Sequence, residues 1–108
     1  MATTQTIKEH LTAIRETLQA TSKQRDEEVK TKINSAVDHA KRAASEMQAR
    51  IASNNEKAGA HYEEALKQVE HIVQDGKKAM TEAGETLQGR VKSMTESAKR
   101  ALSTTEKV

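Results

Sequence analysis

Ile7, Leu18, Val29, Ala40, Ile51, Tyr62 and Val73 stand 11 residues apart, and this ladder constrains the fold more than any other feature of the chain. Further rungs fill it in. The line runs Ile7, Leu11, Ile14, Leu18, passes Ser22 and Arg25, and continues through Val29, Ile33, Ala36, Ala40, Ala44, Met47 and Ile51. Beyond Asn55 and Ala58 it resumes at Tyr62, Leu66, Val69 and Val73. It then slips once, through Gly76 to Met80, and goes on as Ala83, Leu87, Val91, Met94, Ala98 and Leu102. Steps of three and four place these residues on one side of a helix. Eleven residues in three turns is about 3.67 per turn, which predicts a nearly straight helix or a weakly right-handed supercoil. Strand alternation never appears, and Pro, the commonest helix breaker, is absent. The expected fold class is all-α.

Capping chemistry suggests where helices begin. Thr6-Ile-Lys-Glu9 and Ser53-Asn-Asn-Glu56 both fit the capping box, in which a hydroxyl and a Glu three residues on satisfy free amide groups. The second box sits mid-chain in the turn-like stretch "ASNNEKAGA". These signals predict one helical domain over 1–108. It would be a two-helix hairpin with a helix over about 7–52, a turn at about 53–56, a helix over about 56–102 and frayed ends. Each arm would measure about 70 Å at about 1.5 Å per residue. Pairs of such hairpins would form a four-helix assembly on dimerisation. The ladder keeps its phase from Ile51 to Tyr62, and one continuous long helix is the alternative.

Neither arm can stand alone. Of 108 residues 16 are alanines, and Tyr62 is the sole aromatic, so few large side chains are left to offset the entropy of ordering the backbone. As helix-interior residues Gly76, Gly84 and Gly89 would each cost about 1 kcal/mol relative to Ala. The stripe needs a partner: a second helix, another copy of the chain, or a surface that is not protein. The interaction stripe expected to meet it is Ile7, Leu11, Ile14, Leu18, Val29, Ile33, Met47, Ile51, Tyr62, Leu66, Val69, Val73, Met80, Leu87, Val91, Met94 and Leu102. Residues 80–102 combine a thin stripe with two glycines and should be the least stable helix when unbound.

Charge is ordered around the stripe in the first half. Lys8, Arg15, Lys30, Lys32, Lys41 and Arg50 fall on its flanks; Glu9, Glu16, Glu27 and Asp38 fall on the opposite face. Cationic side chains can lay their stems along an apolar surface and keep the charge in water. This pattern suits a helix lying on lipid, and it also suits an ordinary solvated face with pairs such as Glu28–Lys32. Lys23 and Arg42 on the polar face, and Arg25 on the stripe, depart from it.

The Ala/Lys/Glu/Thr-rich repeats, clearest in "DGKKAMTEAGETLQGRVKSMTESAKRA", resemble those of proteins built on 11-residue amphipathic repeats. These include group 3 late-embryogenesis-abundant proteins, exchangeable apolipoproteins and perilipins, and granule-coating phasins. The resemblance implies non-enzymatic coating or stress protection of lipid, granule or client surfaces. The chain differs from late-embryogenesis proteins in placing Ile, Leu, Val and Met on the stripe, and from typical phasins in having no Phe.

Catalytic chemistry is not legible. His61 and Glu64, and His71 and Asp75, have spacings that share a helix face, but no Glu-x-x-His occurs to suggest a di-metal bundle site. No phosphate-binding loop, dinucleotide turn or Cys–His pair is present. Segment 76–108 is mildly basic and 54–75 mildly acidic, too weak a gradient for a nucleic-acid module without aromatics. The start lacks the pattern of a secretory signal, and no apolar run approaches the roughly 20 residues of a membrane span. The expectation is a protein that is not an enzyme, with no catalytic, cofactor or metal residues. It would be cytoplasmic or peripheral on a membrane or granule, and would self-associate or bind lipid, granule or client proteins without a specific nucleic acid. A self-assembling coiled-coil or helical-bundle scaffold is the competing expectation.

Overall fold

In the computed structural model the described residues form four helices: α1 (Thr4–Gln19), α2 (Asp26–Ala52), α3 (Glu56–Ala79) and α4 (Gly84–Glu106). The structure describes residues 4–19, 25–52 and 56–106, with side chains for 6–19, 25–52 and 59–106. Stripe positions Ser22 and Asn55, the Ala58 side chain, and the mid-chain turn and capping box at 53–55 lie outside the described residues. No strand occurs among the described residues.

Each expected arm is broken once more. The expected 7–52 helix divides between Gln19 and Asp26, and the expected 56–102 helix divides at Met80–Ala83. The two-helix hairpin and the continuous long helix are both replaced by four shorter helices. Local chemistry accounts for the breaks. The stripe loses its apolar rungs at Ser22 and Arg25, and Arg25 is exposed just ahead of α2. Its carbonyl accepts the first bond of that helix from the Val29 amide at 2.9 Å. Asp26, Glu27 and Glu28 fill the first turn of α2, with Arg50 in the last, the arrangement that the helix dipole favours at each end. α3 closes with Lys77 and Lys78 in its last turn. The amides of Thr81 and Glu82 then donate to the carbonyls of Lys78 and Ala79 at 3.1 and 3.0 Å, and the Thr81 hydroxyl also donates to Lys78. Gly84 follows with φ +60°, a left-handed conformation that costs a residue with a Cβ about 1–2 kcal/mol.

The helices form a ring. α1 packs on α2, α2 on α3, α3 on α4, and α4 returns to α1; α2 and α4 meet only marginally, as diagonal neighbours. Asp26 Oδ2 accepts a hydrogen bond from the Gly84 amide at 3.2 Å, so the N-termini of α2 and α4 share one end. The molecule measures 43 × 19 × 18 Å, close to the length of α2 alone at about 1.5 Å per residue. Four antiparallel helices joined by short connections are an up-down-up-down bundle. One chain supplies all four helices, so no dimer is needed to complete the bundle.

The core runs the length of this ring. Its buried lines are Ile7, Leu11, Ile14, Leu18 in α1; Val29, Ile33, Ala36, Ala40, Ala43, Met47 in α2; Tyr62, Ala65, Val69, Ile72, Ala79 in α3; and Leu87, Val91, Met94, Ala98, Ala101 in α4. Gly76 is buried between Ile72 and Ala79. Within every helix the steps alternate between three and four, so the buried face repeats every seven residues. That is the period with which bundle helices interlock. An 11-residue step is itself four plus three plus four, so the two periods agree over one short helix. They part in α3, where Ile72 is buried and the ladder residue Val73 is only half-buried.

Candidate interaction face

The expected interaction stripe is the core of the bundle. Ile7, Leu11, Ile14, Leu18, Val29, Ile33, Met47, Tyr62, Val69, Leu87, Val91 and Met94 are buried, and Ile51, Leu66, Val73, Met80 and Leu102 lie half-buried against them. The stripe of α4 therefore has an internal partner. Gly84 and Gly89 notwithstanding, Leu87, Val91 and Met94 close against α3 and α1.

Several core residues escape the sequence reading. Ala43, Ala65, Ile72, Ala79 and Ala101 are buried although the 11-residue ladder passes them by. α4 also buries Thr95, Ser97, Thr104 and Thr105. The hydroxyls of Thr95 and Thr105 donate to the carbonyls of Val91 and Ala101, each at 2.8 Å, which is how a hydroxyl satisfies itself inside a helix. A heptad count from each helix start would have found the alanines; nothing in composition marks the threonines.

The flanking charges sit as the sequence pattern suggests. Lys8, Arg15, Lys30, Lys32 and Arg50 are half-buried beside the core face, while Glu9, Glu16, Glu27 and Asp38 are exposed. Lys41 differs and is exposed.

Two polar clusters tie helices together. Arg90 Nε donates to Glu82 Oε1 at 2.7 Å and its Nη1 to Asp75 Oδ1 at 3.3 Å, while Ser93 Oγ donates to Asp75 Oδ2 at 2.8 Å. The bond to Glu82, more than the nearby charge of Asp75, holds the Arg90 guanidinium above its ordinary pKa. This clamp joins the end of α3, the connection and the first half of α4. The second cluster lies between α1 and α2, where His10 faces His39 with ring centroids 5.8 Å apart and His10 Nε2 lies 3.6 Å from Glu46 Oε1.

The other two histidines belong to neither cluster: His61 is half-buried and His71 exposed on α3. Among the described residues no three His, Cys, Asp or Glu side chains are grouped so as to hold a metal ion. An open groove between α1 and α4 is lined in part by Leu18, Gln88, Val91 and Thr95. No helix among the described residues is long and apolar enough to cross a membrane. No family model matches the chain, and no curated protein or solved structure matches it either.

Proposed function

We propose that the protein is a non-enzymatic coat or protectant. Its bundle is closed in solution and opens to lay its helices, apolar face down, on lipid, a storage granule or exposed client segments. The observation that carries this reading is the make-up of the core. Among the described residues, seven of the 20 buried apolar side chains are alanines, and α4 adds four buried hydroxyl residues. Alanine contributes little apolar area on burial compared with Leu, Ile or Phe, so closing the bundle stabilises it less than a large-residue core would. The same face on an apolar surface keeps its burial and lets half-buried Ile51, Leu66, Val73, Met80 and Leu102 join it. The half-buried cationic flanks favour an interface carrying negative charge.

A cysteine-free chain makes the test clean. Val37 and Gly76 are in contact across α2 and α3, so Val37→Cys with Gly76→Cys can be cross-linked to hold those helices together. The reduced double variant should bind anionic vesicles with a gain in helix signal or protease protection, and the oxidised form should bind much less. Equal binding by the two forms would overturn the opening. A scaffold that self-assembles through its outer faces would instead show concentration-dependent mass without vesicles.

A further inference from the structure

We propose that the contact between His10 and His39 is an acid-sensitive latch: protonation of this imidazole pair loosens α1 from α2 and begins the opening of the bundle. The latch rests on the opening proposed above only for what the released faces then bind.

The rings meet across the α1–α2 seam, tilted by 38° at a centroid separation of 5.8 Å. Neutral imidazoles tolerate that approach, whereas two imidazolium ions at the same distance repel each other in partly dry surroundings. Counter-charge is unevenly supplied. Glu46 Oε1 stands 3.6 Å from His10 Nε2. His39 Nδ1 is buried with no hydrogen-bond partner among the described residues, as is Glu46 Oε2, so the carboxylate does not reach the second ring. The charges acting on His39 come from His10 on α1 and from Arg42 and Asp38 on α2. No ion pair from α3 or α4 reaches either ring among the described residues.

The sign of the effect follows from His39. Burial first, then His10 and Arg42, push its pKa below the usual histidine value, and Asp38 only partly opposes them. The unfolded chain therefore takes up this proton more readily than the folded one. The contribution to stability is whole above the unfolded value of about 6.5, and is lost as pH falls from there toward the depressed folded value. α1 is well suited to be the part that lets go. It is the shortest helix, and it has neither an acidic residue in its first turn nor a basic one in its last, so its dipole is uncompensated.

The test uses the full, lipid-free chain. Imidazole resonances followed by NMR should show His39 titrating below the ordinary histidine value of about 6.5. Urea midpoints by circular dichroism should fall between about pH 7.5 and about pH 5, and the fall should be smaller in His39→Gln and in His10→Gln. The latch is overturned if His39 titrates at or above that ordinary value, or if both variants keep the wild-type pH dependence. Should a variant fail to fold at neutral pH, the titration of the wild type alone decides. Neutral phosphatidylcholine vesicles separate the two ideas without charge attraction. Faster binding of wild type than of His39→Gln at about pH 5 supports both. Intact acid sensitivity with no binding to these or to anionic vesicles at either pH overturns the coat reading and leaves the latch standing.

Discussion

Gly76, Gly84 and Gly89 carry the same penalty on paper and three different ones in the bundle. A Cβ on Gly76 would overlap Val37 Cγ2 and lie 3.4 Å from Met94 Cε, so the glycine is what lets α3 approach α2. Gly76→Ala should lower stability by about 1–3 kcal/mol through overpacking, and adding Val37→Ala should restore part of it. Gly84 is held at φ +60°, and Gly84→Ala should cost about 1–2 kcal/mol. Gly89 has no atom within 4 Å of the Cβ it lacks, so Gly89→Ala should raise stability by about 1 kcal/mol through helix propensity alone. Urea titration of the three variants gives all these values, and a common sign would refute the assignment. The stripe itself has a sharper test. Ile33 is fully buried and Glu27 exposed, so Ile33→Asp should abolish cooperative unfolding by burying an unpaired charge, while Glu27→Ala should change stability by less than about 0.5 kcal/mol.

Helices differ in how well their own ends support them. α2 is the longest, with three acidic residues at its start and a basic one at its end; α1 has 16 residues and neither. Hydrogen exchange on the lipid-free chain at neutral pH should therefore open α1 first and α2 last. Protection of α1 equal to that of α2 would contradict this order. A thin stripe and two glycines mark residues 80–102 as the least stable helix when unbound, but in the bundle α4 buries Leu87, Val91, Met94, Ala98 and Ala101. Tertiary packing routinely overrides propensity of this size. The start of α2 was visible in the run Asp26-Glu27-Glu28, and the end of α3 in Lys77-Lys78 followed by Gly84. Both are ordinary helix stop and start signals, and the apolar line that continues past them hides their meaning.

At the scale of the molecule, the stripe is covered by the chain's own helices. Its unfolding midpoint should therefore not change over about a hundredfold range of protein concentration, since mass action enters only when partners bind. A midpoint rising with concentration would instead favour the scaffold reading. The sequence by itself determined the all-α class and most of the core face, because helical periodicity is written locally, in the spacing of Ile7, Leu11, Ile14 and Leu18 or of Leu87, Val91 and Met94. It did not determine how many helices there are. A stripe can keep its phase through a reversal, as it does from Ile51 to Tyr62, because each helix orients its face toward the core whatever the connection does. Nor did it choose between Ile72 and Val73, which lie one position apart, or mark Ala43, Ala65 and Ala101 as core. Only the placement of neighbouring helices decided those. Small side chains carry a weak hydrophobic signal in sequence, yet they are buried wherever two helices draw close.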